Sequence, residues 1–132
     1  MRHQNRAKRA ERYLKRRDEY WGNALKYVGE GKFSKASELL WGAVAQSIKA
    51  AGAMRDISIT SHSKFFYFMR ELSKELEDEE LYKSFLFLND LHKNFYDEYI
   101  GPAESQIYLK EARKFLQKIE EIGAHLEQQI SR

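Results

Sequence analysis

The chain contains no cysteine, which excludes a disulfide scaffold, a thiolate zinc site and a cysteine nucleophile. Pro102 is the only proline, so long uninterrupted helices are favoured. The longest apolar runs, residues 65–69 and 85–88, are far too short to span a bilayer, and the basic N-terminus lacks the apolar segment of a secretory signal. We therefore expect a soluble, cytoplasmic protein.

The chain contains enough hydrophobic residues to form a core. Of its 132 residues, 42% are hydrophobic and 14% aromatic, a composition that is not typical of disorder. A chain of this length usually forms one domain and buries roughly two-thirds of the surface of its unfolded state.

The net charge of +3 conceals a strong asymmetry. Residues 1–17 hold eight basic side chains against one acid, Glu11, whereas the rest of the chain holds 15 basic and 19 acidic residues. A basic arm on an acidic body is typical of proteins that contact phosphate backbones or other anionic surfaces. Two alternatives remain, a structural or partner-docking arm that pairs with the acidic run at 77–80, and binding to a membrane surface. The candidate nucleic-acid contacts are Arg6, Arg9, Arg12 and Arg16.

Hydrophobic periodicity divides the chain into five helical segments and predicts an all-α protein. We expect an up-and-down bundle of about five antiparallel helices. Residues 18–132 would form this single domain, and residues 1–17 a basic N-terminal arm that continues into the first helix. The first helix is predicted from about residue 6 to residue 28 and ends at a Gly-Glu-Gly segment.

Small polar residues and glycines mark the ends of the next helices. Ser34 is expected to cap the second helix and Gly52 to close it, which leaves residues 53–62 as an ordered loop. Ser61 or Ser63 is expected to cap the third helix.

Two of the four histidines occupy positions of interest. His92 falls on the apolar seam of the fourth helix, where an imidazole needs a hydrogen-bond partner. It is either a core residue bonded to a carbonyl or tyrosine hydroxyl, or a pocket residue with Asn94 and Tyr96. His62 sits where a loop meets a helix and could cap that helix or line a cleft. The chain has no phosphate-binding glycine loop and no metal-ligand spacing, so we expect neither metal nor cofactor.

Two stretches carry recognisable motifs. The first is GKFSKASELLWGAVAQSIKA at residues 31–50, followed by Ser61-His62, and the second is LHKNFYD at residues 91–97. Together they resemble the archaeal PaREP family, whose members carry a small-residue helix reading roughly A-x-E-K-L-W-x-A, a histidine that opens the next helix, and L-H-x-N-F-Y-E. The resemblance covers about residues 20–115.

The PaREP resemblance implies a helical domain of the HEPN (higher eukaryote and prokaryote nucleotide-binding) group. Such domains often dimerise, many bind nucleotides or RNA, and some are ribonucleases or toxins of toxin–antitoxin pairs. The ribonucleases use an arginine and a later histidine with four to six residues between them. Here Arg55 and His62 have six residues between them, but Asn94 stands about where related domains have the arginine.

Three functions are open on these grounds. The first is a non-catalytic HEPN-like module that binds RNA or a nucleotide through the arm and a cleft formed by His62, His92, Asn94 and Tyr96. The second is a homodimeric helical module that binds another protein, such as the partner of a toxin–antitoxin system. The third is a metal-independent ribonuclease that uses Arg55 and His62. Deletion of residues 1–17 is expected to abolish RNA binding in the first case and to leave helicity intact.

Overall fold

The computed structural model describes the backbone of residues 2–94 and 100–131, and the side chains of residues 5–90, 93 and 100–124. Over these residues the chain is all-helical, with five helices and no strand, as the periodicity predicted. The helices are α1 (Arg2–Gly29), α2 (Phe33–Met54), α3 (His62–Glu75), α4 (Glu79–Asn94) and α5 (Pro102–Ser131).

α2 lies at the centre of the fold, in contact with all four other helices. Its residues from Ala43 to Met54 are buried at nearly every position, so that more than one side of the helix faces the core. Small residues make this possible, because Ala36, Ala43, Ala50 and Ala51 let neighbouring helices approach from several sides.

α1 packs along α2, and residues further along α1 contact positions successively earlier in α2 and the loop that follows it. Arg9 contacts Asp56, the Tyr20 ring lies 3.3 Å from where a Cβ on Gly42 would stand, and Lys35 lies over the Tyr27 ring. These two helices therefore run in opposite directions. Their connection turns at Gly31, whose φ of +75° suits glycine.

The start and end of α2 differ from the prediction. The helix begins at Phe33, so Ser34 lies within its first turn, and Lys32 stands at the cap without a side-chain hydrogen bond. Gly52 does not end the helix, which extends to Met54; the Gly52 carbonyl accepts the bonds that close the helix end, from the N–H groups of Arg55 and Ile57 at 2.9 and 2.8 Å. Its missing side chain serves close packing against the following loop.

That loop spans residues 55–61 and carries no strand, as expected for an ordered loop. Ile59 is 5% exposed and packs into the core, whereas Ile57 is 43% exposed. Ser61 caps α3, since its hydroxyl accepts a hydrogen bond from the Lys64 N–H at 3.3 Å. The loop is thus anchored in the core at Ile59, while Ile57 two residues earlier faces solvent.

Candidate functional site

The basic N-terminal residues form the first turns of α1 and are packed against the rest of the protein. Ala10 is 5% exposed and belongs to the core, and Leu14 packs against the core as well. The arm predicted for residues 1–17 is thus, from residue 2, one continuous helix with residues 18–29.

Two of the four predicted arginines face inwards. Arg9 donates a hydrogen bond to Asp56 at 2.8 Å, and Arg6 lies 3.8 Å from the other carboxylate oxygen of Asp56. Asp56 stands in the loop after α2 with a φ of +60°, a conformation that aspartate tolerates better than most residues. The acidic partner of the arm is therefore Asp56. The acidic run at 77–80 pairs instead with Lys83 and Lys118.

Four further basic residues of this segment face outwards. Lys8, Arg12, Lys15 and Arg16 are exposed, and none of the four forms an ion pair with another side chain in the described part of the chain. At 3.6 residues per turn these positions fall within an arc of about 100° on one side of α1, over an axial length of about 12 Å. We refer to Lys8, Arg12, Lys15 and Arg16 as the cationic face.

The cationic face is held rigidly because the opposite side of α1 is anchored. Arg17, on that opposite side, lies 3.9 Å from Glu120 of α5, and the Arg113 guanidinium of α5 lies over the Trp21 ring. Helix packing thus fixes the backbone that carries the four cations, and only their flexible side chains remain to be ordered by a ligand.

Sequence reasoning selected Arg6 and Arg9, which are paired, and did not select Lys8 and Lys15, which are exposed. The helical periodicity of α1 distinguishes the paired arginines from the exposed cations. Residues 10 and 14 mark the buried side of α1, and residues 8, 12, 15 and 16 lie away from them.

The side chains of the predicted ribonuclease pair have other partners. The guanidinium of Arg55 donates a hydrogen bond to Glu75, and this bond lowers the pKa of the Glu75 carboxyl. His62 is exposed, and its ring lies 5.3 Å from the Phe66 ring. No hydrogen bond joins Arg55 to His62, and both side chains are described. Catalysis by this pair stays a prediction.

The remaining predicted site residues cannot be placed in a cleft. His92 and Asn94 belong to α4, but their side chains lie outside the described residues, as does Tyr96 altogether. The cleft predicted for His62, His92, Asn94 and Tyr96 therefore stays a prediction.

A groove of about 450 Å³ lies between α1, α2 and α5. Much of its wall consists of small residues, with Ala7 and Ala10 on α1, Ala50 and Ala51 on α2, and Gly123 on α5. Glu11, Arg17 and Glu120 also line it. Arg17 is engaged there by Asp18 at 2.9 Å and by Glu120 at 3.9 Å.

Within the described ranges, no group of three or more histidine or carboxylate side chains is placed to hold a metal ion. None of the helices, over the same ranges, is both long and apolar enough to cross a membrane.

Fold and surface together define an all-helical protein with a rigid, cationic helix face. The family model of the archaeal PaREP1/PaREP8 family matches residues 12–116, and the chain belongs to this family. The match begins at Arg12, earlier than the motifs suggested, and includes three of the four residues of the cationic face. A search of curated proteins finds no match.

Proposed function

We propose that this protein is a non-catalytic RNA-binding module whose binding surface is the cationic face of α1. The proposal includes an up-and-down, HEPN-like arrangement of the helices in a single cytoplasmic domain. The observation that carries it is the set of four exposed, unpaired cations on one side of a helix whose other side is fixed in the core.

Charge alone gives affinity for phosphates through the release of counterions, without any reading of sequence. A second element would be needed for specificity. The predicted cleft of His62, His92, Asn94 and Tyr96 would supply it by binding a base or a nucleotide. The imidazole and amide groups of such a cleft offer both donors and acceptors to a base edge.

The experiment compares two variants with the same net charge. The face variant carries Lys8→Gln, Arg12→Gln, Lys15→Gln and Arg16→Gln. The control variant carries Lys74→Gln, Lys83→Gln, Lys110→Gln and Lys114→Gln, which are exposed cations of α3, α4 and α5. Both variants change the formal charge from +3 to −1.

We expect the face variant to lose about ten- to a hundredfold in affinity for a labelled RNA at low salt, with a shallower dependence on salt. The control variant should lose far less, because it changes the net charge but not the face. Equal losses of RNA affinity in the two variants would show that net charge alone determines binding, and this would contradict the proposal. Absence of RNA binding by the unaltered protein at low salt would contradict it as well.

A further comparison separates the inward from the outward arginines. Arg12→Gln with Arg16→Gln should weaken RNA binding and leave the free energy of unfolding nearly unchanged. Arg6→Gln with Arg9→Gln should lower stability and weaken RNA binding less, because Asp56 occupies these two guanidinium groups. The opposite pattern would place the binding surface on the inward side.

A second candidate function is homodimerisation, which exposed apolar side chains on α4 and α5 favour. Phe87 is 40% exposed and lies 5.9 Å, ring to ring, from Tyr108, while the neighbouring Ile107 is also exposed. Sedimentation of the unaltered protein against Phe87→Gln and Ile107→Gln tests this. A dimer that becomes a monomer in these variants would support a self-associating surface here, and an unchanged mass would exclude this surface.

A further inference from the structure

We infer that the cationic face binds double-stranded RNA in preference to single-stranded RNA. This inference rests on the proposed function and adds the form of nucleic acid that the same surface takes. It depends on three features of α1: the rigidity of the helix, the lack of exposed aromatic rings beside its cations, and the polar character of its outer side.

The first feature is that an anchored helix backbone carries the cations. α1 is held by its packing on α2 and by the pairs Arg9–Asp56 and Arg17–Glu120. A nucleic-acid duplex is likewise stiff and carries a dense array of phosphate charge, about one per 1.7 Å of axis in double-stranded DNA. An anchored helix and a stiff duplex can meet with only the lysine and arginine side chains left to order, whereas a single strand would also lose conformational freedom to follow the face.

The second feature is what the cationic face lacks. Proteins that bind single strands stack bases on exposed aromatic rings beside a basic groove. The aromatic residues of α1 that adjoin the face, Tyr13 and Tyr20, are partly buried and pack against the core. Besides His62 at the start of α3, whose ring lies 5.3 Å from the Phe66 ring, the exposed aromatic rings in the described part of the chain are Tyr67 on α3 and Phe87 on α4.

The positions of these two rings keep them from serving the face. α3 and α4 pack on α2 and on each other, and neither is a principal neighbour of α1. Tyr67 in addition has the Arg70 guanidinium 5.8 Å from its ring. A strand on the cationic face would thus contact phosphate-binding groups without an aromatic stacking platform, which is the pattern of shape-based duplex recognition.

The third feature is the polar character of the outer side of α1. Beyond Arg16 the same side continues with Glu19, Asn23 and Lys26, all exposed. An apolar wedge that could enter a base stack and open a duplex is absent from this stretch. The face would therefore rest on the phosphates of an intact duplex.

The test measures binding of the intact protein to a blunt RNA duplex and to each of its two strands, chosen to lack self-structure, across a series of salt concentrations. We expect the duplex to bind about tenfold more tightly or better than either strand at low salt. The slope of log affinity against log salt should approach about −0.9 for each phosphate contact, against about −0.7 for single strands. The face variant should lose most of the duplex affinity, and the control variant should not.

The outcomes distinguish the inference from the proposed function. Equal or tighter binding of a single strand, still lost in the face variant, would overturn the duplex preference and leave the cationic face as an RNA site. Duplex binding that the face variant retains would overturn both statements. Failure of the protein to bind either form would do the same.

Discussion

Gly52 shows how one absent side chain positions the loop that carries Asp56. A Cβ at this position would lie 2.9 Å from Ile59 Cδ1 and 3.0 Å from the Ile57 carbonyl oxygen. The second neighbour is backbone and is tied to Gly52 by a hydrogen bond of 2.8 Å from the Ile57 N–H. The loop therefore has little freedom to move away from a larger residue.

We predict that Gly52→Ala lowers the free energy of unfolding by about 1–2 kcal/mol, because overpacking outweighs the better helix propensity of alanine. Urea unfolding followed by circular dichroism measures this. Gly22→Ala is the matched control, since no atom of a neighbouring element lies within 4 Å of a Cβ there. The control should gain about 0.5–1 kcal/mol, and a similar gain in Gly52→Ala would show that the loop yields.

A second prediction concerns Glu75 and pH. The hydrogen bond from Arg55 lowers the pKa of the Glu75 carboxyl below its usual 4.5, so the ionised carboxylate is favoured in the folded state. A lowered folded pKa stabilises the protein above the unfolded pKa, and the stabilisation is lost as pH falls through the folded value. Since the Glu75 side chain is 54% exposed, we expect no more than about 1 kcal/mol.

Glu75→Gln should accordingly be less stable than the unaltered protein at neutral pH, and the difference should shrink as pH falls below about 4.5. Unfolding curves at a series of pH values give this difference. Glu121→Gln removes an exposed carboxylate that pairs with no cation in the described part of the chain, and it serves as the charge-matched control. A difference that grows on acidification would contradict the assigned sign.

At the scale of the element, α1 depends on Asp56 for the position of its first turns. Asp56→Asn keeps a residue that tolerates the left-handed backbone and removes the charge that holds Arg6 and Arg9. We predict faster amide hydrogen exchange in residues 6–10 with a global loss of less than about 1 kcal/mol, as is usual for a partly exposed ion pair. Exchange monitored by mass spectrometry tests this.

Asp90→Asn is the control for this prediction, because Asp90 is exposed and lies on α4 away from α1. It should leave exchange in residues 6–10 unchanged. Equal protection of these residues in Asp56→Asn and in the unaltered protein would mean that apolar packing of Ala10 and Leu14 alone holds the helix.

Periodicity was sufficient to predict the five elements, because each helix packs a recurrent set of apolar side chains against the core. Phe68, Met69 and Leu72 recur at helical spacing on α3 and are buried, as are Phe115 and Ile119 on α5. Leu76 continues the spacing of α3 but lies past the end of that helix and is 37% exposed. Helix ends were harder to predict, because the sequence around Gly52 and Ser34 is compatible both with a cap and with a position inside a helix.

The site was predictable only in part, for a related reason. Composition located the basic segment, but the partner of Arg6 and Arg9 lies 47 residues or more along the chain from them and is set by the loop after α2. An ion pair between residues far apart in the chain produces no local sequence pattern. The division of α1 into an anchored side and a free side therefore required the positions of α2 and Asp56.

At the scale of the whole molecule, the first 17 residues belong to the core as well as to the surface. Their removal would take away Ala10 and Leu14 and uncover Ala50, Ala51 and Met54 of the central helix. We predict that the deletion lowers the melting temperature by several degrees and increases binding of a hydrophobic dye. This differs from the expectation that helicity survives the deletion intact, and it makes the face variant the cleaner test of RNA binding.

Thermal unfolding and dye binding of the deletion and of the face variant measure the difference. The face variant changes only exposed side chains and should keep the melting temperature of the unaltered protein. An equally stable deletion would mean that α2 and α5 close over the vacated surface without α1.

Because α1 both carries the cationic face and packs into the core, a ligand bound to this face would also affect the stability of the fold. A polyanion bound to Lys8, Arg12, Lys15 and Arg16 would bind the native helix more tightly than the unfolded chain. Mass action would therefore shift the folding equilibrium towards the native state. Bound nucleic acid would then shield the molecule from proteases that attack through opening of its N-terminal turns. Turnover of the protein in the cell would in this way follow the supply of its own ligand.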